Sequence, residues 1–493
     1  MPANNIGIVG TGPMGSNLSL NIESKGYTVS VYDISRQSID DFMSARAKNK
    51  KIHPYYDIRE FIDSLEPPKK ILLMIKAGKP VDETIERLIP LLGKGDLIID
   101  GGNSYFKDTV RRENCLGSKG ILFIGTGISG GEEGALKGPA IMPGGKADAY
   151  SLVKDLFEKI SAKAPDGFPC VSHIGPDGAG HFVKMVHNGI EYGDMALIGE
   201  CVWALKTVLG LDASDISGIM RQWNNKNDIL SSYLIEITAE SLAQKESTGQ
   251  DYLVDSIADI TRMKGTGTWA VQSALELLVS VPTIASAVFS REASQDKDLR
   301  LSLSENLEYP SKKYSGNREE FISIAHDALY IAKISSYAQG FALLEAASKS
   351  YGWNLDMGRI ASGWRAGCII RAQFLSEITT QYDKNPDIVN LISAPVFKDF
   401  INKNIEKFSK FIEISHSAGL PVSCTSSSFD YILQITSHVL VSAQVQALQR
   451  DYFGAHGYFK LKKDSPEIKS DSNGKYIEYH TDWMDKKRPE KLV

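Results

Sequence analysis

Residues 178–195 read GAGHFVKMVHNGIEYGDM. Wound into a helix, Lys184, His187, Asn188 and Glu191 fall at i, i+3, i+4 and i+7 and share one face. Phe182, Val183, Val186 and Ile190 follow the same period on another face, as core contacts do. One rigid element thus presents an amine, an imidazole, an amide and a carboxylate side by side. A base and an acid at that spacing can work on opposite sides of a small substrate. A solvated polar helix face is the plainer alternative, and the rest of the chain decides between the two.

The elements that must position this helix begin upstream. From residue 5 to about 178 short apolar runs alternate with helical stretches, the pattern of βαβ units. Strands are expected at 5–10, 28–32, 71–75, 97–99 and 121–124. Gly10, Gly12 and Gly15, with Pro13 and Met14 between them, spell GTGPMG directly after the first strand and ahead of a helical stretch. Asp33 closes the next strand 23 positions after Gly10. In that setting the motif is a dinucleotide fingerprint, with the pyrophosphate at a helix N-terminus. Polar or glycine-rich segments follow the later strands too: 76–78 beginning at Lys76, DGGNS at 100–104, and GTGISGG at 125–131. All lie on the carboxyl edge, where open parallel sheets bind ligands.

Beyond residue 179 the strand pattern stops, and helices are expected at 190–209, 269–279, 319–351 and 369–380, punctuated by Gly210, Pro282 and Gly352. The fold class is therefore an α/β Rossmann-like dinucleotide-binding domain (1–178), a large all-α domain (179–445) and an extended C-terminal tail (446–493). Three places in the second half gather cations or hydroxyls: KGTGTW from Lys264 through Thr266 to Trp269, Arg291 after the apolar run 284–289, and QRDYFGAH with Arg450 and His456. The tail is polar, carries the turn signal Asn473-Gly474, and reads by default as structureless.

Composition narrows the function classes. The 493 residues carry a net charge of −5, with 42% hydrophobic and 23% charged residues, as in soluble globular proteins. Such a balance offers no basic field to nucleic acid or anionic membrane, so an anionic ligand must be held by local cations. No run of about 18 uncharged apolar residues predicts a membrane span. The N-terminus enters a strand almost at once, which predicts no signal peptide. Five widely spaced cysteines (115, 170, 201, 368 and 424) form no CxxC, which predicts reduced thiols and a cytoplasmic location. With no HExxH and no Cys/His cluster, no metal site is expected.

The run 178–195, the fingerprint, SGGEEGA at 129–135, KGTGxW, AVFxR and QRDYFGAH together resemble 6-phosphogluconate dehydrogenases, the decarboxylating oxidoreductases of the pentose phosphate pathway. The resemblance implies conversion of 6-phospho-D-gluconate to ribulose 5-phosphate and CO2, with Lys184 as general base and Glu191 as general acid. It implies that Asn103, Ser129, Gly130, Gly131, His187 and Asn188 contact the sugar acid. Tyr192, Lys264, Thr266 and Arg291 would hold its phosphate, joined by Arg450 and His456 from the exchanged tail of a homodimer. Ile75, Lys76, Ala77 and Asn103 would line the nicotinamide side, and WRAGCIIR at 364–371 would be structural.

One departure concerns the coenzyme. The family commonly ends its second strand with Asn-Arg-Thr, which grips the 2′-phosphate of NADP, whereas this chain has Asp33-Ile34-Ser35 and an arginine only at Arg36. A carboxylate there accepts the ribose 2′-OH of NAD and repels a 2′-phosphate. Ser35 and Arg36 would reach a phosphate only if the loop turned the arginine inward. Family and residue thus point opposite ways, to NADP and to NAD. Shorter β-hydroxyacid dehydrogenases share the first domain and the lysine but lack the phosphate cluster and tail. A dinucleotide-binding scaffold would have no use for both Lys184 and Glu191.

Overall fold

The five apolar runs expected as strands all form, and most of their residues are buried, as a parallel sheet covered on both faces requires. The computed structural model describes residues 3–247, 249–263, 265–307, 309 and 311–493. It divides into two compact units, Met1–Phe429 and Asp430–Val493. In the first, seven strands, β1 (Ile6–Val9), β2 (Val29–Tyr32), β3 (Ile52–Tyr55), β4 (Lys70–Leu73), β5 (Leu97–Asp100), β6 (Leu122–Ser129) and β7 (Ala140–Pro143), lie in the order β3-β2-β1-β4-β5-β6-β7. Neighbours from β3 to β6 pair in parallel, and β7 runs antiparallel to β6. The strand order reverses between β1 and β4, which opens a crevice at their carboxyl ends.

Two strands escaped the sequence pattern. β3 is an edge strand with Pro54 in it and one buried residue, so its alternation is weak. β7 is a run of only four residues between prolines and glycines. Its presence corrects the expectation for 125–131: Thr126 to Ser129 are not loop but strand, paired with Pro143 to Ala140.

Helix α1 (Pro13–Ser24) covers one sheet face, with Leu18 and Ile22 in the core beside Ile8 and Val31. The other face is closed by Phe61, Ile85 and Leu116. Further along come α2 (Ala179–Leu209), α3 (Thr266–Glu276), α4 (Pro282–Gln295) and α5 (Arg318–Tyr351). α2 and α5 pack together and are buried over most of their lengths. A buried ion pair joins them: Lys333 Nζ donates to Asp194 Oδ2 at 2.6 Å, with both side chains almost wholly excluded from solvent. Such a pair loses much of its attraction to desolvation, and removing one partner alone would leave an uncompensated buried charge. Glu200 of α2 accepts the Cys424 and Thr425 N–H groups at 2.8 and 2.9 Å and so caps the helix Ser423–Thr436.

The helix expected over 369–380 begins only at Leu375. Gly367 turns the chain at φ +67°, and its carbonyl accepts the Ala140 N–H at 2.9 Å. Ala372 then bridges to Ser232. The backbone of this stretch is spent on neighbours rather than on its own helix.

The second unit is not structureless. A helix, Val441–Gly454, precedes a small antiparallel sheet of β8 (Tyr458–Phe459), β9 (Glu478–Thr481) and β10 (Glu490–Leu492). Buried Asp451 substitutes for the missing apolar core. It accepts from His480 Nδ1 (2.8 Å), Trp483 Nε1 (2.9 Å), and the N–H groups of Thr481 and Gly457 (3.0 Å each). Burial alone would raise its pKa, but these donors hold it at about 2. No described helix is long and apolar enough to cross a membrane.

Candidate active site

The helix read from residues 178–195 is the first half of α2, and it lies directly on β6 and β7. The contact is backbone on backbone. A Cβ on Gly180 would collide with Gly144 N and lie 2.5 Å from Gly125 O and Met142 O. A Cβ on Gly127 of β6 would overlap Cβ of Lys184. Two glycines therefore seat the lysine against the strand that ends at Ser129. Gly127→Ala is expected to destabilise by about 1–3 kcal/mol, as overpacking does, and to lower kcat more than it raises KM. Denaturant unfolding alongside steady-state kinetics checks both.

On this seat the four side chains meet. Lys184 Nζ donates to Asn188 Oδ1 at 2.7 Å and lies 3.4 Å from His187 Nδ1. Ser129 Oγ is 3.2 Å from His187 Nε2, which ties the end of β6 to the helix. Glu191 Oε2 sits 3.8 Å from His187 Nδ1 on the next turn. Lys184 and His187 are buried, whereas Glu191 keeps part of its surface open. Burial is the largest influence on each group. It lowers the Lys184 pKa below the usual lysine range, with the Glu191 charge opposing in part. It depresses His187 strongly, helped by Lys184, so the imidazole is neutral and its contact with Glu191 is not an ion pair. It raises Glu191, aided by Asp194 and opposed by Lys184 and Arg291. An amine and a carboxyl biased toward their neutral forms are what a base and an acid need near pH 7.

The neighbouring loops complete the wall. Gly130 takes φ +124°, open only to glycine at low cost, and starts the short helix Gly131–Lys137. Asn103 stands exposed between Gly102 and Ser104, both of which donate to Asp100. Trp364 meets the His187 ring edge-on at 5.6 Å.

Tyr192, one residue past Glu191, carries the Arg291 guanidinium stacked 3.5 Å from its ring centre. Gly267 presses on the same ring, where a Cβ would lie 2.7 Å from Cδ1. Buried Thr266 opens α3 behind Gly265, with no side chain capping the helix. Tyr192, Thr266 and Arg291 are thus brought together beside an uncapped N-terminus, an arrangement suited to an oxyanion. Lys264 lies outside the described residues. Arg450 and His456 belong to the second unit, where both are exposed.

The dinucleotide fingerprint lies at the switch point between β1 and β4. Gly10, at φ +106°, turns the chain where a Cβ would sit 2.5 Å from Met74 O, and a Cβ on Gly15 would strike the Gly10 carbonyl. A Cβ on Gly12 would meet nothing within 4 Å, which leaves the N-terminus of α1 open to a ligand. Here opens a crevice of about 580 Å³, lined among others by Gly10, Gly12, Asp33, Ile75 and Lys76. Asp33 Oδ2 accepts the Thr11 N–H at 2.7 Å, and its Oδ1 accepts the Ser35 N–H at 2.9 Å. Ile34 is 84% exposed. Ser35 caps the following helix through Ser38 N–H. The Arg36 guanidinium lies over the Tyr56 ring at 4.4 Å rather than turning inward. The arginine lining the crevice is one the sequence did not single out, Arg87, which donates to Tyr32 Oη at 2.8 Å.

Also missed was Arg112, buried beneath the 76–78 and 100–104 loops. Its trace in the sequence is the register Thr109, Arg112, Glu113 and Leu116, which puts two charged residues on the buried stripe of a helix.

Residues 5–175 match the model of the NAD binding domain of 6-phosphogluconate dehydrogenase, and residues 180–483 match that of its C-terminal domain. Over 485 residues the chain is 48% identical to the decarboxylating 6-phosphogluconate dehydrogenase of Escherichia coli (strain K12), covering 98% of this chain and all of the relative. Identity and coverage are the same for an NADP(+)-dependent, decarboxylating 6-phosphogluconate dehydrogenase of Bacillus subtilis (strain 168). The 6-phosphogluconate dehydrogenase of Plasmodium falciparum, studied in its apo form and in complex with NADP+ and with 6-phosphogluconate, superposes with a TM-score of 0.90 at 39% identity, covering 97% of this chain and all of that one. Both halves of the chain and the helix that joins them place it in one family: the chain belongs to the 6-phosphogluconate dehydrogenases.

Proposed function

We propose that this chain catalyses the oxidative decarboxylation of 6-phospho-D-gluconate to D-ribulose 5-phosphate and CO2 with a nicotinamide coenzyme, with Lys184 as general base and Glu191 as general acid. The observation that carries it is the Lys184, His187, Asn188 and Ser129 cluster, with Glu191 one turn away and Tyr192, Thr266 and Arg291 beyond. The crevice fits the coenzyme: the loop glycines allow close approach and leave a helix N-terminus free for a pyrophosphate. A nicotinamide bound there would supply the hydride acceptor for C3 of the substrate.

Neutral Lys184 takes the C3 hydroxyl proton as that C–H bond breaks, and the 3-keto acid results. The resulting ammonium polarises the ketone, so the electron pair of the C1–C2 bond moves toward that oxygen as CO2 leaves. Lys184 gives its proton to the oxygen and the enediol forms. Glu191 then protonates the carbon that was C2 of the substrate and becomes C1 of the pentose, while Lys184 recovers the hydroxyl proton, leaving ribulose 5-phosphate. His187, Asn188, Asn103, Ser129, Gly130 and Gly131 orient the sugar acid. Tyr192, Lys264, Thr266 and Arg291 hold the phosphate. Reduction of NAD+ or NADP+ with 6-phosphogluconate, together with CO2 release, tests the whole reading. No reduced coenzyme with either would overturn it.

Coenzyme choice rests on the end of β2. Asp33 lines the crevice, while the Arg36 side chain is spent on Tyr56. Like charges a few ångströms apart cost a few kcal/mol at an effective dielectric of about 20, and each ~1.4 kcal/mol is tenfold. The expected result is a kcat/KM for NAD+ at least equal to that for NADP+, with Asp33→Asn moving the ratio toward NADP+ by about tenfold. A strong NADP+ preference that Asp33→Asn leaves unchanged would mean that the carboxylate faces away from the ribose.

The same reading makes the enzyme a cytoplasmic homodimer whose tail completes the partner's site through Arg450 and His456. Supporting it are five free cysteines and the exposed Val441, Val445, Leu448 and Tyr452 along the helix Val441–Gly454. Mixing Arg450→Ala chains with Lys184→Ala chains should restore activity, since one mixed site keeps both residues. Heterodimers without complementation would put Arg450 in cis or outside the site.

A further inference from the structure

Arg112 sits on the helix Phe106–Gly117, with its side chain 1% exposed. Every one of its five guanidinium N–H groups has a partner, and the partners belong to two segments, one following β4 and one at the end of β5. Toward the segment after β4, Nε donates to Asp82 Oδ1 at 2.9 Å, and Nη2 donates to Asp82 Oδ2 and to the Gly78 carbonyl at 3.1 Å each, Asp82 lying in the first turn of the helix Lys79–Leu88 and Gly78 at its N-cap. Toward the loop after β5, Nη1 donates to Asp100 Oδ2 at 3.2 Å and to Ser104 Oγ at 3.3 Å. Asp100 in turn accepts from Ser104 Oγ at 2.7 Å and from the Gly102 N–H at 3.1 Å, the residues on either side of Asn103. The Arg112 hydrogen bond is the largest influence on Asp82 and keeps its carboxyl below the usual range, hence ionised.

A buried arginine whose planar fork is filled in this way is a rigid part with no slack, and lysine cannot reproduce its geometry. Its two sets of partners are the segments expected to face the two ligands. One begins at Lys76 on the coenzyme side; the other carries Asn103 toward the substrate. We propose that Arg112 is a positioning residue for the reaction, holding the 76–78 loop and the 100–104 loop in one register so that coenzyme and substrate are presented to each other correctly. It touches neither ligand. This rests on the reading given above for Lys76 and Asn103.

The two arms can be cut separately. Asp82→Asn weakens the first without emptying the fork, and Ser104→Ala removes one acceptor of the second. Asp82→Asn should raise the KM and the Kd of the coenzyme several-fold, while the KM for 6-phosphogluconate stays within about twofold. Ser104→Ala should lower kcat and raise the KM for 6-phosphogluconate, with coenzyme Kd changed by less than about twofold, because Asn103 would meet the coenzyme only at its nicotinamide end. Arg112→Lys should lose both, with kcat/KM down by about 10²-fold, the effect of an ångström-scale misplacement.

Coenzyme Kd is measured by equilibrium dialysis with NAD+ and NADP+, so the first arm is tested even if 6-phosphogluconate is not turned over. Failure of wild-type turnover would count against the proposed reaction, not against the brace. A brace of general stability would lower the unfolding midpoint of all variants and leave this split unseen. If Asp82→Asn and Ser104→Ala moved the same parameters, or moved none, the proposal would be overturned. An unfolded Arg112→Lys leaves the two milder variants to decide.

Discussion

Lys184→Ala should lower kcat for 6-phosphogluconate oxidation by about 10²–10⁴-fold, the usual worth of a positioned general base. No neighbour can take over. His187 is the titratable group hydrogen-bonded nearest to Lys184, but its burial and the adjacent amine hold it neutral, and its two nitrogens are engaged with Ser129 on one side and with Lys184 and Asn188 on the other. Coenzyme Kd should be unaffected, because the dinucleotide crevice is built from β1, β2 and the loop after β4. The pH profile carries the same information. Burial favours the neutral amine, so Lys184 becomes a competent base below the ordinary lysine pKa of about 10.4. The acidic limb of kcat/KM should lie at correspondingly lower pH, with activity rising as Lys184 loses its proton. Near wild-type turnover in Lys184→Ala would end its assignment as the base.

Glu191→Gln should reduce turnover by about 10²-fold or more while changing the KM for 6-phosphogluconate little. The amide fills the same space but has no proton to give to carbon. Here the sign is opposite to that of lysine. Burial raises the carboxyl pKa, Asp194 adds to the rise, and Lys184 and Arg291 oppose it. Glu191 therefore stays protonated above the usual carboxylate range and loses its function as pH climbs, which produces the alkaline limb. Glu191→Gln should abolish that limb and leave the acidic one in place. A profile with both limbs intact would assign the alkaline pKa to another group.

Much of this arrangement was legible before the structure. The period of residues 184, 187, 188 and 191 defines a helix face whatever the helix packs against, and the fingerprint between strand and helix announces the crevice. What escaped depends on partners distant in sequence. Gly125 and Gly127 looked like a loop because glycine seldom favours a strand; pairing with β7 and the pressure of α2 outweigh that. Arg36 stood at the right place to meet a phosphate, yet Tyr56, 20 positions on, claims its guanidinium. The tail lacked apolar residues for a core, and nothing local announced that Asp451 would gather donors from as far as Trp483. Arg112 was hidden for the same reason, since Asp82 and Asp100 come from different strand–helix units.

The glycine seat under Lys184 has a consequence for how the enzyme moves. Because the backbone of α2 touches that of β6 and β7 with no side chains between, the base cannot swing away from the sheet as a door does on a hinge. α3 and α4, which carry Thr266 and Arg291, are seated on the same helix, since Gly189 faces Ala270 and Ile284 and Gly267 faces the Tyr192 ring. A pair of spectroscopic labels bridging β6 and α2 should read one distance with and without 6-phosphogluconate. Grip on the phosphate and proton transfer then share one frame, and a mutation that shifts α2 on the sheet should disturb both together.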